Sequence, residues 1–470
     1  MVTRRTGRWR RRVQPTTWSL LWGTVSAGCF VALLITGVIL MVFYDASGDL
    51  ITYGGSYALL RGTAMSRAFA STLWLSFDVP GGLLLRQAHH WAALLLPASL
   101  LLQLAGAFFT AAFRRPRRGI WVLTVGAFLV VLVCGWSGYG LPDDNLSGTG
   151  LRIVQGTTLA VPFVGTWLTS VLFGGEFPGR IIEHLYLVHL LASAVLLVVV
   201  VLRLRLVRRR GPVQLPGPGR TAARVVGLPV WPQAVVRVAG LFSVTLGVIT
   251  LMAGTLTISP VWRYGPSSPG NAYAGSQPDW YTAFLDGALR LVPPGWEVVV
   301  AGRTWTLALL VPLAAIGLFF TLLLLWPYAE ERLTDDRTDH QLLERPRDNP
   351  VRTGLGAAGI SFYGALWAAG SADILATEFA VSFESVLWVL RAVVLAGPVV
   401  AYLLAVGVCR ALRTTETERG RHGIETGAIV RLPSGGYVEL SEPRGNTPPG
   451  LGEVAPAATE PRALVGSPPP

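Results

Sequence analysis

Lysine is absent from this 470-residue chain; all 39 of its basic residues are arginine. Charge of either sign is scarce. Asp, Glu, Lys and Arg make up 14% of the residues, where a soluble domain carries about 25%. With 51% hydrophobic residues and a mean hydropathy of +0.50, the chain lacks the polar surface to cover itself in water. Its net charge of +12 is packed between long uncharged runs rather than spread over a folded surface, which argues against a nucleic-acid partner. Cysteine is nearly absent too: Cys29, Cys134 and Cys409 stand in or at the end of apolar runs. They provide neither a disulfide framework nor thiolate metal spacing. What remains is an all-α membrane protein with several spans.

A span needs roughly 20 apolar residues. Eight runs qualify, at about 18–44, 87–113, 119–141, 185–207, 234–258, 304–326, 353–372 and 384–409. The first follows Arg10-Arg11-Arg12; it is too long for a signal-peptide core, and no small-residue cleavage site follows it. Arginine gathers in that N-terminal arm, in 114–118 and in 203–224, and stands mixed with acids in 329–352 and 410–470. These are alternate loops, so the positive-inside rule puts them and both termini on the cytoplasmic face. The organisation is then a basic arm (1–17), a four-span half (18–208), a Pro/Gly-rich linker (209–232), a second four-span half (233–410) and a tail (411–470). Pro-, Gly- and Glu-rich composition makes the tail mostly disordered, apart from a small hairpin over 429–440 around Pro433-Ser434-Gly435-Gly436. Arg203, Arg205 and Arg208 at the inner membrane edge are expected to meet anionic membrane lipid. Arg391 in the last span should face protein or snorkel, and Asp286 should pair with Arg290 across one helical turn.

Only six histidines occur, and four of them, His89, His90, His184 and His189, sit near the outer ends of two spans. A ring nitrogen in lipid needs a hydrogen bond or a metal. Each histidine alone reads as an aromatic-belt or hydrogen-bonded residue. Two spans each offering one at similar depth also read as the axial pair of a buried b-type haem, since iron favours imidazole. No carboxylates cluster with them, which disfavours zinc hydrolysis.

Three further runs bear on this choice. They are Arg86-Gln87-Ala88-His89-His90-Trp91, the loop Gly138-Tyr139-Gly140-Leu141-Pro142-Asp143-Asp144, and Pro278-Asp279-Trp280-Tyr281. Together they resemble the cytochrome b subunit of quinol–cytochrome c reductases. Asp279 stands for the Glu of the family's Pro-Glu-Trp-Tyr motif, as in the actinobacterial branch, which Asn349-Pro350-Val351-Arg352-Thr353 and His422-Gly423-Ile424-Glu425-Thr426-Gly427 also suggest. The resemblance runs from about residue 18 to 443. It implies a bacterial plasma-membrane protein in which the first four spans form a haem bundle and the last four a second half. Two haems are stacked in that family, ligated from spans two and four by histidines about fourteen residues apart. Such a spacing rises roughly 21 Å and returns to nearly the same helix face.

By resemblance the outer haem b maps onto His89 and His189 as iron ligands. Arg86 would meet a propionate, and Gly37 and Gly138 would admit the porphyrin. The inner site departs from the family. Fourteen residues beyond His89 stands Gln103, and fourteen beyond His189 stands Arg203; fourteen before Gly138 stands Thr124, although Gly23 keeps its place before Gly37. No histidine occurs in 91–183 or 190–339 to replace them. One haem b is therefore expected, with the inner one absent and the inner end filled by side chains or water.

The outer quinol pocket is implied to lie between Tyr139 and Pro142 on one side and Pro278 to Tyr281 on the other. Asp279 is the candidate proton acceptor, with Tyr281 and Tyr139 as orienting hydroxyls, and Trp280 is a pocket residue or an interfacial anchor. The leading reading is a core subunit oxidising (mena)quinol and passing electrons through b haem. Its implied partners are a Rieske iron–sulfur subunit, a cytochrome c subunit and, further out, a second copy and a terminal oxidase. The alternative is a degenerate, non-catalytic paralogue with one haem or none that assembles or regulates a respiratory complex. A transporter would want charged or broken helices at mid-membrane, and few candidates exist.

Overall fold

The structure is a computed structural model that describes residues 13–175, 180–268, 270, 277–422, 424–431, 433 and 437–442. The basic arm as far as residue 12 and the tail from residue 443 lie outside the described residues. Eight long helices follow the eight apolar runs: α1 Trp18–Phe43, α2 Gly82–Phe109, α3 Arg118–Gly140, α4 Ile181–Arg210, α5 Val235–Thr255, α6 Leu307–Thr334, α7 Pro350–Gly370 and α8 Phe383–His422. Seven of them are long and apolar enough to cross a membrane; α7 is not among these. Its 21 residues include Gly354, Gly356, Gly359, Gly364 and Gly370 in place of Leu or Val. Glycine lowers hydropathy but allows close packing: a Cβ on Gly354 would lie 2.7 Å from Tyr402 of α8, and one on Gly356 would lie 2.6 Å from Phe109 of α2. The start of α7 is dictated locally. Asn349 accepts the Arg352 N–H at 3.1 Å as an N-cap, and Pro350 fills the first turn, where no amide donor is needed.

Within the body formed by residues 1–216 and 220–412, α1 packs along α2, α3 along α4, and α5 lies against α1 and α2. The most apolar stretch of α2 is 44% buried and that of α3 is 39% buried, against 11% for α4, α5, α6 and α8. The central pair is therefore α2 and α3, and the others turn their Leu and Val faces outward. Between them Cys29, Phe30, Leu96, Leu100, Phe128 and Leu196 form the middle of the core. At the outer ends, the short helices Asn145–Leu159 and Gly165–Phe173 join α3 to α4, and Ala283–Leu291 precedes α6.

The inner ends carry a buried ion-pair network. Arg114 of the α2–α3 loop meets Glu330 at 3.0 Å, Arg352 meets the same carboxylate at 2.9 Å, and Glu344 pairs with both arginines. The arginines expected on the cytoplasmic side thus also tie the two halves together. A second unit, Gly217–Gly219 with Arg413–Pro470, contains the hairpin expected over 429–440. Its strands, Ile424–Arg431 and Tyr437–Glu442, pair Ile429 with Glu439 and Val430 with Val438. Residues 411–422, expected to belong to the disordered tail, instead continue α8 as helix.

Candidate functional site

His89 on α2 and His189 on α4 face each other with ring centroids 6.4 Å apart. Two metal–nitrogen bonds of about 2 Å, plus about 1 Å from each nitrogen to its ring centre, call for about 6 Å. The tautomers follow from the neighbours. Thr36 donates its hydroxyl proton to the Ala32 carbonyl at 2.6 Å, which leaves its oxygen to accept from His89 Nδ1 at 2.9 Å. His189 Nδ1 donates to the Cys134 carbonyl at 2.9 Å, with Ser137 Oγ at 3.2 Å. With each Nδ1 carrying the proton, each Nε2 keeps its lone pair, the state a metal requires. Gly37 and Gly138 make room for these rings: a Cβ would lie 3.2 Å from His89 Cε1 and 2.9 Å from His189 Cε1. Their immediate neighbours are the imidazoles, because the rings lean onto α1 and α3 to reach their hydroxyl and carbonyl partners. Arg86, one turn before His89, donates to the Ser259 carbonyl at 3.0 Å, while its Nε is buried without a partner among the described residues. A buried guanidinium N–H without an acceptor fits an anionic group such as a propionate. On ring spacing, tautomers and this orphaned donor, the outer residues fit a b haem.

The same cavity, about 280 Å³, is lined by both histidines and by Tyr139, Pro142, Asp279 and Tyr281. The Asp279 carboxylate accepts from the Tyr281 hydroxyl at 2.9 Å, and His90 Nε2 approaches its two oxygens at 3.1 and 3.2 Å. Tyr281 is 1% exposed and fits only because position 135 is glycine, where a Cβ would stand 2.3 Å from its hydroxyl. Burial, and then the charge of Asp279, push its phenol well above the usual tyrosine range, so it stays a donor. Tyr139 does not reach Asp279; it donates to the Gln277 carbonyl at 3.1 Å. Pro278 and Trp280 are not among the lining residues. The Trp280 indole N–H needs an acceptor when buried and turns to the Leu94 carbonyl of α2 at 3.3 Å. It pins the motif to α2.

The inner level is built from different chemistry. Arg203 of α4 turns inward instead of toward lipid, since α2 and α3 offer it polar partners there. Its Nε donates to Thr124 Oγ1 at 2.9 Å and its Nη2 to Gln103 Oε1. Gln103 Nε2 donates to Ser26 Oγ at 2.6 Å, Ser26 stands 2.7 Å from Ser99, and Ser99 donates to the Leu96 carbonyl at 2.8 Å. Arg205 and Arg208 remain exposed. Arg offers only donors and Gln only a weak amide oxygen, already in use. These residues do not fit a haem.

Residues 94–266 match the family model described as "Cytochrome b(N-terminal)/b6/petB". The cytochrome bc1 complex cytochrome b subunit of Mycobacterium tuberculosis (strain ATCC 25618 / H37Rv) is 44% identical over 443 residues, covering 92% of this chain and 79% of the relative. The chain belongs to the cytochrome b subunits of actinobacterial cytochrome bc1 complexes. The Streptomyces coelicolor subunit of the same description is 40% identical over 435 residues, with 92% and 80% covered. A solved "Hyperthermophilic respiratory Complex III" chain shares the fold of this cytochrome b at a TM-score of 0.62 and 20% identity, over 84% of this chain and 94% of that one.

Sequence reasoning about this cytochrome b named His90 without its partner and missed Thr36, Ser137 and Gly135. His90 was visible beside His89, but no local rule links it to a carboxylate 189 residues away. The two hydroxyls looked like ordinary residues of apolar helices.

Proposed function

We propose that this cytochrome b is the translocase-type core of a quinol–cytochrome c oxidoreductase that oxidises menaquinol at the outer cavity and carries one b haem. The observation that supports this most is the sharing of one cavity by the His89–His189 pair and the hydrogen-bonded Asp279. A b haem held by those two imidazoles would supply a one-electron acceptor. Asp279 takes a proton from the quinol hydroxyl, since quinol must lose two protons with its electrons. Tyr281 holds the Asp279 oxygen 2.9 Å away, and His90 holds the carboxylate from the other side. The apolar walls Phe30, Leu33 and Leu96 keep water from the reacting hydroxyl.

At the inner level the hydrogen-bonded chain from Arg203 to Ser99 supports the absence of a second haem. An electron path across the membrane through an inner haem is then missing, and the quinone cycle is incomplete. This same feature favours the second reading, a subunit that assembles or regulates a respiratory complex. The acceptor side of the proposed reaction calls for a Rieske iron–sulfur subunit and a cytochrome c subunit. A second copy and a terminal oxidase complete the assembly, with both termini in the cytoplasm. Haem extraction from the purified complex tests the proposal, with one b haem per chain expected. Two per chain would overturn the inner-site reading, and none would leave the assembly role standing.

A further inference from the structure

The segment carrying Asp279 is held by side chains that stay outside the cavity. Gln277, two residues before Asp279, donates through Nε2 to Asp373 Oδ2 at 2.5 Å. The other oxygen of Asp373 accepts Arg290 Nη1 at 2.8 Å, and Arg290 Nη2 meets Asp286 at 2.7 Å. Asp373 lies in the short helix Ala372–Glu378 between α7 and α8, while Arg290 closes the helix Ala283–Leu291 that follows the motif. One carboxylate from the second half thus grips both flanks of Pro278-Asp279-Trp280-Tyr281. Beneath it the helix Ala283–Leu291 rests directly on α7. A Cβ on Gly287 would lie 1.8 Å from the Leu366 carbonyl, and one on Gly370 would lie 2.3 Å from the Ala283 carbonyl. From α8, Arg391 Nε donates to the Leu291 carbonyl at 2.8 Å.

We infer that Asp373 is a positioning residue for quinol oxidation, fixing the aim of the Asp279 carboxylate through Gln277 and Arg290. The inference rests on the quinol reading of Asp279. A backbone contact between glycines sets the height of the helix but leaves it free to slide. A charge-assisted fork, with a cation on one oxygen and an amide on the other, sets register and rotation. Asp279 needs that precision, because a proton acceptor works only within hydrogen-bond reach and a displacement of about 1 Å lowers the rate roughly 100-fold.

The test uses the whole complex in membranes or nanodiscs. Asp373→Ala is expected to lower kcat roughly 10- to 100-fold and to move the acid limb of the kcat–pH profile. KM should stay within about twofold and the b-haem spectrum should be unchanged. Asp373→Asn, which keeps an acceptor for Gln277, should recover part of the rate. Wild-type kcat and pH profile in Asp373→Ala would overturn the inference. If that variant loses haem or fails to assemble, Gln277→Met decides, because it leaves the Arg290 pair intact. The same limb should shift by less, and wild-type behaviour there overturns the inference. If the wild-type complex shows no quinol turnover, the functional proposal fails by itself. Hydrogen exchange of the Thr282 and Ala283 amides then decides: faster exchange in Asp373→Ala supports the clamp and an unchanged rate refutes it.

Discussion

The first four spans carry two levels built on the same helices and fourteen residues apart, and the levels solve opposite problems. At the outer level the neighbours of His89 and His189 take up the Nδ1 protons and leave an Nε2 lone pair on each of two rings whose centroids are 6.4 Å apart. At the inner level Arg203, Gln103, Ser26 and Ser99 form one hydrogen-bonded chain that ends on the Leu96 carbonyl. One level offers ring nitrogens to a ligand; the other spends its donors and acceptors on its own side chains. A repeated helical spacing therefore guarantees only that side chains meet, and their chemistry decides whether anything comes between them.

The largest effect should come from the outer level. His189→Ala removes one of the two proposed iron ligands and should abolish the b-type absorption spectrum, whereas Arg203→Met should leave it intact. Equal loss in both would erase the distinction between the levels. Asp279→Asn should keep the haem spectrum and lower quinol oxidation by about 10²-fold or more, the usual contribution of a placed general base. Wild-type turnover would move the proton-accepting role elsewhere. Gln103→Ala should leave both spectrum and turnover in place but destabilise the inner level. It strips the acceptor from a buried guanidinium donor, a loss of about 1–3 kcal/mol, read as a lower thermal midpoint in detergent.

Much of this arrangement was legible in the sequence because a membrane forces it. Backbone groups in lipid must be satisfied within a helix, so long apolar runs fix elements, and the boundaries of α1 and α3 fall within one residue of the runs that predict them. The helix α7 was legible for the same reason, yet its glycines leave it below the hydropathy of the rest and outside the seven helices apolar enough to cross a membrane. The His89–His189 pair was legible from depth and motif order. The direction of Trp280 and the partner of Tyr139 were not, since each is settled by a backbone carbonyl more than a hundred residues away in the sequence. Arg203 shows the limit most plainly. At the membrane edge an arginine normally goes to lipid headgroups, and only the presence of Thr124 and Gln103 on facing helices turns it inward.

The smallest expected effect concerns pH and belongs to the outer level alone. Asp143 and Asp144, in the loop after α3, are buried, and burial pushes both carboxyls up to about 6. For Asp143 the nearby Asp144 and Glu183 add to the rise; for Asp144 the Ser147 bonds and Arg86 partly oppose it. An acid whose folded pKa lies above its unfolded value of about 3.9 binds protons more tightly when folded. Its stabilising contribution is complete below about 4 and is lost as pH rises through about 6. The thermal midpoint should therefore rise on acidification from pH 7 to pH 5. Asn at both positions should flatten that dependence, because the amide keeps the volume and cannot ionise. The inner chain has no titrating carboxylate among Arg203, Gln103, Thr124, Ser26 and Ser99, so Gln103→Ala should lower the midpoint by the same amount at pH 5 and pH 7. A pH slope that persists in the double Asn variant would place the titrating groups outside this loop.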